Sequence, residues 1–228
     1  MKFTLATAVA VAASAVSAIS PRATTDTEMG WGKALAGDSS ACADLGVIFA
    51  RGTFDPGNIG PWVGAPFRDA LAAKTKSVSF QGVDPGAYPA DLAGYVVEGG
   101  SEKCSLSMGV VVDAYVKACP KAKIAITGWS QGALCARKSF GVMSSASAAK
   151  VIAYVAFGDP YPKSALATMI LELPKQATKQ LITLASDIKN GHLQRWMLSP
   201  QHFWYGLDGS TTKAAEQVVA ALNGSKKK

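Results

Sequence analysis

Gly128-Trp129-Ser130-Gln131-Gly132 is the stretch whose residue types and spacing point most directly to covalent chemistry. Glycines two places before and two places after a serine let the backbone turn sharply around it without side chains colliding. Such a match carries weight only where a strand enters and a helix leaves. Here the apolar run Lys123 to Thr127 reads as a strand, and Gln131 to Phe140 reads as a helix. Ser130 is therefore expected at the end of a strand, beside a helix N-terminus that favours developing negative charge. The bland alternative is a glycine-rich strand-to-helix turn with no chemistry.

A serine hydroxyl is a poor nucleophile until a base takes its proton. The chain contains two histidines, His192 and His202. With a serine in such an elbow the order along the chain runs serine, acid, histidine. Asp208 and Glu216 follow both histidines and fail that order, while Glu172 sits in a stretch that reads as helix. Asp159 and Asp187 both follow predicted strands, and the spacing favours Asp187 with His202 over Asp159 with His202. A tetrahedral oxyanion also needs preorganised donors. The backbone N–H of Gln131 is one, and the loop Ala50-Arg51-Gly52-Thr53 after an earlier strand offers the other through Thr53. The plain alternative is that Gly52-Thr53 only turns the chain.

These residues require a scaffold that gathers strand ends. Leu45 to Ala50, Ser77 to Val83, Lys123 to Thr127, Val151 to Phe157 and Gln180 to Leu184 read as strands. Pro61 to Lys74, Ser105 to Lys117, Gln131 to Phe140 and Ser210 to Leu222 carry apolar residues at helical spacing. Continuous apolar strands separated by helices imply an α/β fold with a central parallel sheet between helical layers. Sites in such sheets gather at the carboxyl ends of the strands.

The 228 residues suggest one domain, since about 200 residues bury roughly 70% of their unfolded surface in a single core. Residues 1–18 have a lysine, an apolar stretch and then Val16-Ser17-Ala18, the pattern of a secretory signal cleaved after Ala18. Residues 19–41 are expected to be disordered or propeptide-like, 42–223 to form the domain, and 224–228 to be a solvated basic tail. The net charge of +7 rests mostly on lysine without interleaved aromatics, which argues against nucleic-acid binding. Four cysteines in a secreted chain suggest two disulfides, with three pairings open. The cysteines form no CxxC pair, and with two histidines a zinc site is not expected. Asn223-Gly224-Ser225 is a glycosylation sequon.

Taken together, these motifs resemble the fungal cutinase family. Cys42-Ala43-Asp44, Phe49 to Thr53 and Pro56-Gly57-Asn58 are similar to the opening of those enzymes. Cys119-Pro120 with the Gly128 to Gly132 elbow resembles their nucleophile region, and Phe157-Gly158-Asp159-Pro160 also occurs in the related acetylxylan esterases. Ser186-Asp187 and Pro200-Gln201-His202 to Tyr205-Gly206 resemble the acid and base segments. The resemblance implies a small, lidless α/β-hydrolase sandwich that hydrolyses esters without a cofactor or metal. It implies a triad of Ser130, Asp187 and His202, and an oxyanion hole of Thr53 and Gln131. It also implies pairing of Cys42 with Cys119, which leaves Cys104 with Cys135. Two departures stand out. No cysteine follows Cys135 to bracket the acid, and Trp129 precedes the serine where tyrosine is more usual in the family.

The expected protein is thus a secreted, monomeric serine esterase with no nucleic-acid or membrane partner. Its expected substrate is an aliphatic polyester or a short-to-medium acyl ester at an open, wet site. The alternatives are an esterase that deacetylates xylan, and a catalytically silent binding protein on the same fold.

Overall fold

The computed structural model describes residues 25–160, 181–182 and 200–226. The signal-like residues 1–18, Asp187 and His192 lie outside the described residues.

The apolar runs form a parallel sheet of five strands among the described residues, ordered β2-β1-β3-β4-β5. These are β1 (Leu45–Ala50), β2 (Val78–Gly82), β3 (Lys123–Trp129), β4 (Val151–Phe157) and β5 (Leu181–Ile182). Every residue of β1 is buried, as a central strand covered on both faces should be. The register pairs Ala50 of β1 with Gly128 of β3, and Trp129 with Phe157 of β4. The carboxyl ends of three neighbouring strands therefore meet at the elbow.

Side chains alternate across the sheet with period two. Ile48, Ile124, Ile126 and Tyr154 face one core, with Met108, Val112 and Tyr115 of α4 (Glu102–Ala118) and Ala133 and Ala136 of α5 (Gln131–Lys138). Val47, Phe49, Val155 and Phe157 face the other, with Phe67 and Leu71 of α2 (Ala65–Lys74) and Ala214 and Val218 of α7 (Ser210–Lys226). The short helices are α1 (Gly32–Leu35), α3 (Leu92–Val96) and α6 (Ser145–Ala148). The architecture is the parallel sheet between helical layers that the alternation of strands and helices predicted, and the α/β-hydrolase sandwich that the resemblance implied.

Two boundaries are corrected by the structure. Residues 25–41, expected to be disordered or propeptide-like, are folded onto the domain. Met29 bridges Gln81 beside β2, and fully buried Trp31 stacks on Tyr115 at 4.0 Å while its indole N–H donates to Ser79 O at 3.1 Å. One large aromatic in a polar tract gives no periodicity, so the sequence pattern misses its burial. At the other end, α7 runs through the sequon to Lys226, whose ammonium pairs with Asp44 at 2.6 Å, so the basic tail is helical as far as Lys226. Asn223 is therefore an exposed helical residue.

Within the domain, α4 starts three residues before the predicted Ser105, because Ser101 caps it by accepting from Cys104 N at 3.2 Å. The α3 turn, capped by Asp91, is too short for a hydrophobic period to show. The disulfides are Cys42–Cys119 and Cys104–Cys135, the pairing implied by the resemblance. The second ties α4 to α5, the helix that begins at the elbow.

Candidate active site

β3 enters the elbow at Trp129, and α5 leaves it at Gln131. Ser130 between them has φ +55° and ψ −122°, a conformation that costs an L-residue of order 1–3 kcal/mol. Its N–H donates to Phe157 O at 2.9 Å, and its carbonyl accepts from Ala133 N at 2.9 Å. The flanking glycines are needed for close approach. A Cβ at Gly128 would stand 2.2 Å from Gly132 O, and one at Gly132 would stand 2.0 Å from Ala50 O.

His202 lies in the 3₁₀ segment Pro200–Gly206 and rests on the indole of Trp129, with ring centres 5.3 Å apart. The Trp129 indole N–H donates to the His202 carbonyl at 3.1 Å. Burial pushes the His202 imidazole down to about 4, which favours the neutral form that acts as a base. Ser130 is 2% exposed and His202 3%.

Thr53 follows β1 and reaches Gln131, its Oγ1 donating to Oε1 at 3.0 Å. Gln131 Nε2 is buried without a partner, packed where a Cβ on Gly94 would be 2.7 Å away. A half-turn of this amide, whose two ends have nearly the same shape, makes Nε2 the donor to Thr53 Oγ1. The Thr53 hydroxyl proton is then free to turn to another acceptor. Thr53→Val is expected to lower kcat by about 10²-fold, and Thr53→Ser to retain most of it, as read from initial rates on a soluble ester.

The loop carrying Thr53 is held from both sides. Arg51 Nε donates to Asp55 O at 2.6 Å, its Nη2 donates to Pro89 O at 3.1 Å, and its carbonyl accepts from Tyr88 OH at 2.8 Å. Phe54, at φ +61°, donates its N–H to the carbonyl of Ala90, which has φ +54°. Phe54, Ala90 and Ser130 are the non-glycine residues with positive φ among the described residues, and all three belong to this site.

Asp55 is 2% exposed, and its carboxyl is pushed up to about 8 by burial, against the opposing pull of Arg51. The folded protein holds this proton where the unfolded chain, with an aspartate near about 4, has released it, so stability is lost as pH rises toward 8. Asp55→Asn is expected to reduce by several degrees the drop in melting temperature between about pH 5 and about pH 8.5. Thermal melts of both proteins at the two pH values check this.

The structure thus brings Ser130, Gln131, Thr53 and His202 to one end of the sheet. Asp159, the other acid left open by spacing, accepts from Tyr154 OH at 3.4 Å, and Tyr154 belongs to the core on the opposite sheet face from Trp129. Arg51 and Asp55 were missed, because a charged pair in a turn gives no signal of burial in sequence. Among the described residues no cluster of three His, Cys, Asp or Glu side chains is placed to hold a metal ion.

A serine in a strained elbow, a histidine packed on the adjoining tryptophan, and a threonine from an earlier strand loop meeting the residue after the serine are the arrangement of a serine hydrolase of the α/β-hydrolase class. Residues 41–222 match the cutinase family profile. The chain is 38% identical over 145 residues to Cutinase pbc1 from Pyrenopeziza brassicae, covering 59% of this chain and 70% of that one. It superposes on a Trichoderma reesei cutinase in complex with a phosphonate inhibitor with a TM-score of 0.66 and 25% identity, over 87% of this chain and 81% of that one. An acetyl xylan esterase shares the fold at a TM-score of 0.55 and 16% identity, over 79% of this chain and 99% of that one. The chain belongs to the cutinase family and is a serine ester hydrolase.

Proposed function

We propose that the protein is a secreted esterase whose triad is Ser130, His202 and Asp187, with Thr53 and the Gln131 N–H as its oxyanion hole. The observation that carries this reading is Ser130 at positive φ at the end of β3, with His202 laid on the adjoining Trp129.

His202 takes the Ser130 proton as Oγ attacks the ester carbonyl carbon, and the carbonyl electron pair becomes the oxyanion held by Thr53 and Gln131. Collapse expels the alcohol, which takes the proton from His202 and leaves an acyl-Ser130. Water, deprotonated by His202, attacks the acyl carbon, and the serine leaves with the proton returned. Asp187 holds the imidazole in the tautomer that this sequence needs and stabilises its charged form.

The acyl side of the substrate is aliphatic in this reading, with polymeric aliphatic polyester as the natural form. Phe54, Trp62, Phe203 and Trp204 are exposed apolar side chains on the loop that carries Thr53, the turn Gly60–Gly64 that leads into α2, and the segment that carries His202. A surface of that kind suits alkyl chains better than acetylated sugar hydroxyls, although aromatic faces also stack on sugars. Rates on p-nitrophenyl esters of graded length, with release from polyester film and from acetylated xylan, test the assignment. A maximum at butyrate or longer with film erosion supports it. A maximum at acetate with release from xylan overturns the substrate and leaves the catalytic machinery intact.

A further inference from the structure

Trp129 is 1% exposed and sits at the end of β3, one peptide bond from the nucleophile. Its indole N–H donates to the carbonyl of His202 at 3.1 Å, and its ring lies 5.3 Å from the imidazole and 5.5 Å from Phe203. The opposite edge of the ring meets the oxyanion loop. A Cβ at Gly52 would lie 2.4 Å from Trp129 Cε3 and 2.6 Å from Cζ3, so the bare glycine lets loop and indole touch. Trp62 packs edge-on against Trp129 at 5.7 Å and against Phe203 at 5.4 Å, so the indole is flanked by two further aromatic rings. A buried hydrogen bond of this kind is electrostatically stronger than one in water.

We infer that Trp129 is a positioning residue that sets the Ser130 hydroxyl, the His202 segment and the Thr53 loop relative to one another. Each comes from a different part of the chain, and this one rigid side chain, carried by the elbow itself, touches the other two. The inference rests on the roles assigned above to Ser130, His202 and Thr53. It also gives Gly52 a reason that its backbone does not, since Gly52 has no positive φ. An added methyl at Gly52 would displace the indole from the position that holds its N–H on the His202 carbonyl.

A tryptophan that only fills the core would lower stability when trimmed and leave the chemical step alone. Trp129→Phe keeps an aromatic ring and removes the N–H. It is expected to lower kcat on p-nitrophenyl butyrate by about 10- to 100-fold, with KM within about twofold of wild type. Inactivation by a p-nitrophenyl alkylphosphonate, which reports attack by the serine, is expected to slow by the same factor. A folded Trp129→Phe protein with kcat within about twofold of wild type overturns the inference. Should that variant not fold, Gly52→Ala keeps the N–H and displaces the ring, and it is expected to give the same loss. Wild-type kcat in a folded Gly52→Ala protein overturns the inference equally. Ser130→Ala run alongside separates the two levels: if it is as active as wild type, the nucleophile assignment has failed and not only the role of Trp129.

Discussion

Ser130→Ala is expected to lower turnover of p-nitrophenyl butyrate by about 10⁴- to 10⁶-fold. Without Oγ no acyl-enzyme forms, and the residual rate comes from substrate binding and the oxyanion donors acting on water. The Ser130 N–H bond to Phe157 and the Ala133 N–H bond to the Ser130 carbonyl use backbone atoms alone, so the variant keeps the elbow. Its melting temperature is accordingly expected to match or exceed that of the wild type, because alanine carries no buried hydroxyl. Initial rates and a thermal melt on the same preparation check both statements. A variant with wild-type activity would remove Ser130 from the mechanism.

Asp187→Asn is the second large effect, with an expected fall in kcat of about 10⁴-fold. Asparagine has the shape of aspartate but presents the wrong hydrogen-bonding partner to the imidazole, so the tautomer that accepts the serine proton is no longer held. A change in pH profile accompanies it. Burial alone drives His202 down to about 4, whereas a neighbouring carboxylate favours the imidazolium and acts in the opposite direction. Protonating His202 abolishes the base, so the acid limb of kcat/KM reports its titration. Removing the carboxylate charge leaves burial unopposed, and the acid limb of the residual activity is expected to move to lower pH. An unchanged limb, or a loss under about tenfold, would count against Asp187 and direct attention to another acid.

Much of the scaffold was legible because it rests on patterns of several residues. β1 and β4 have the predicted bounds, Leu45–Ala50 and Val151–Phe157, since an unbroken apolar run flanked by polar residues has few other uses in a chain of this size. The elbow was legible for a different reason. Gly128 and Gly132 are forced by contacts of about 2 Å that any Cβ would make, so close packing leaves its mark in the sequence. What escaped depends on single residues meeting across the fold. Trp31 lies in a polar stretch yet is wholly buried against Tyr115, and nothing local announces a partner so distant in sequence. Arg51 and Asp55 look like an exposed charged turn until the Pro89 and Tyr88 loop closes over them.

The sequence suggested an order of serine, acid and histidine, and the structure adds contacts that order cannot give. Thr53 meets Gln131 across the end of the sheet, and Trp129 joins the elbow to the base segment. These contacts bring Thr53, Gln131, the elbow and the His202 segment together at one end of the sheet.

The most direct test of the account is to treat the protein with a p-nitrophenyl alkylphosphonate and locate the adduct by peptide mass mapping while following residual activity. The account predicts one adduct per chain, carried by the peptide containing Ser130, with activity lost in proportion to its formation. An adduct on a different residue, or full esterase activity in protein labelled at Ser130, would contradict it.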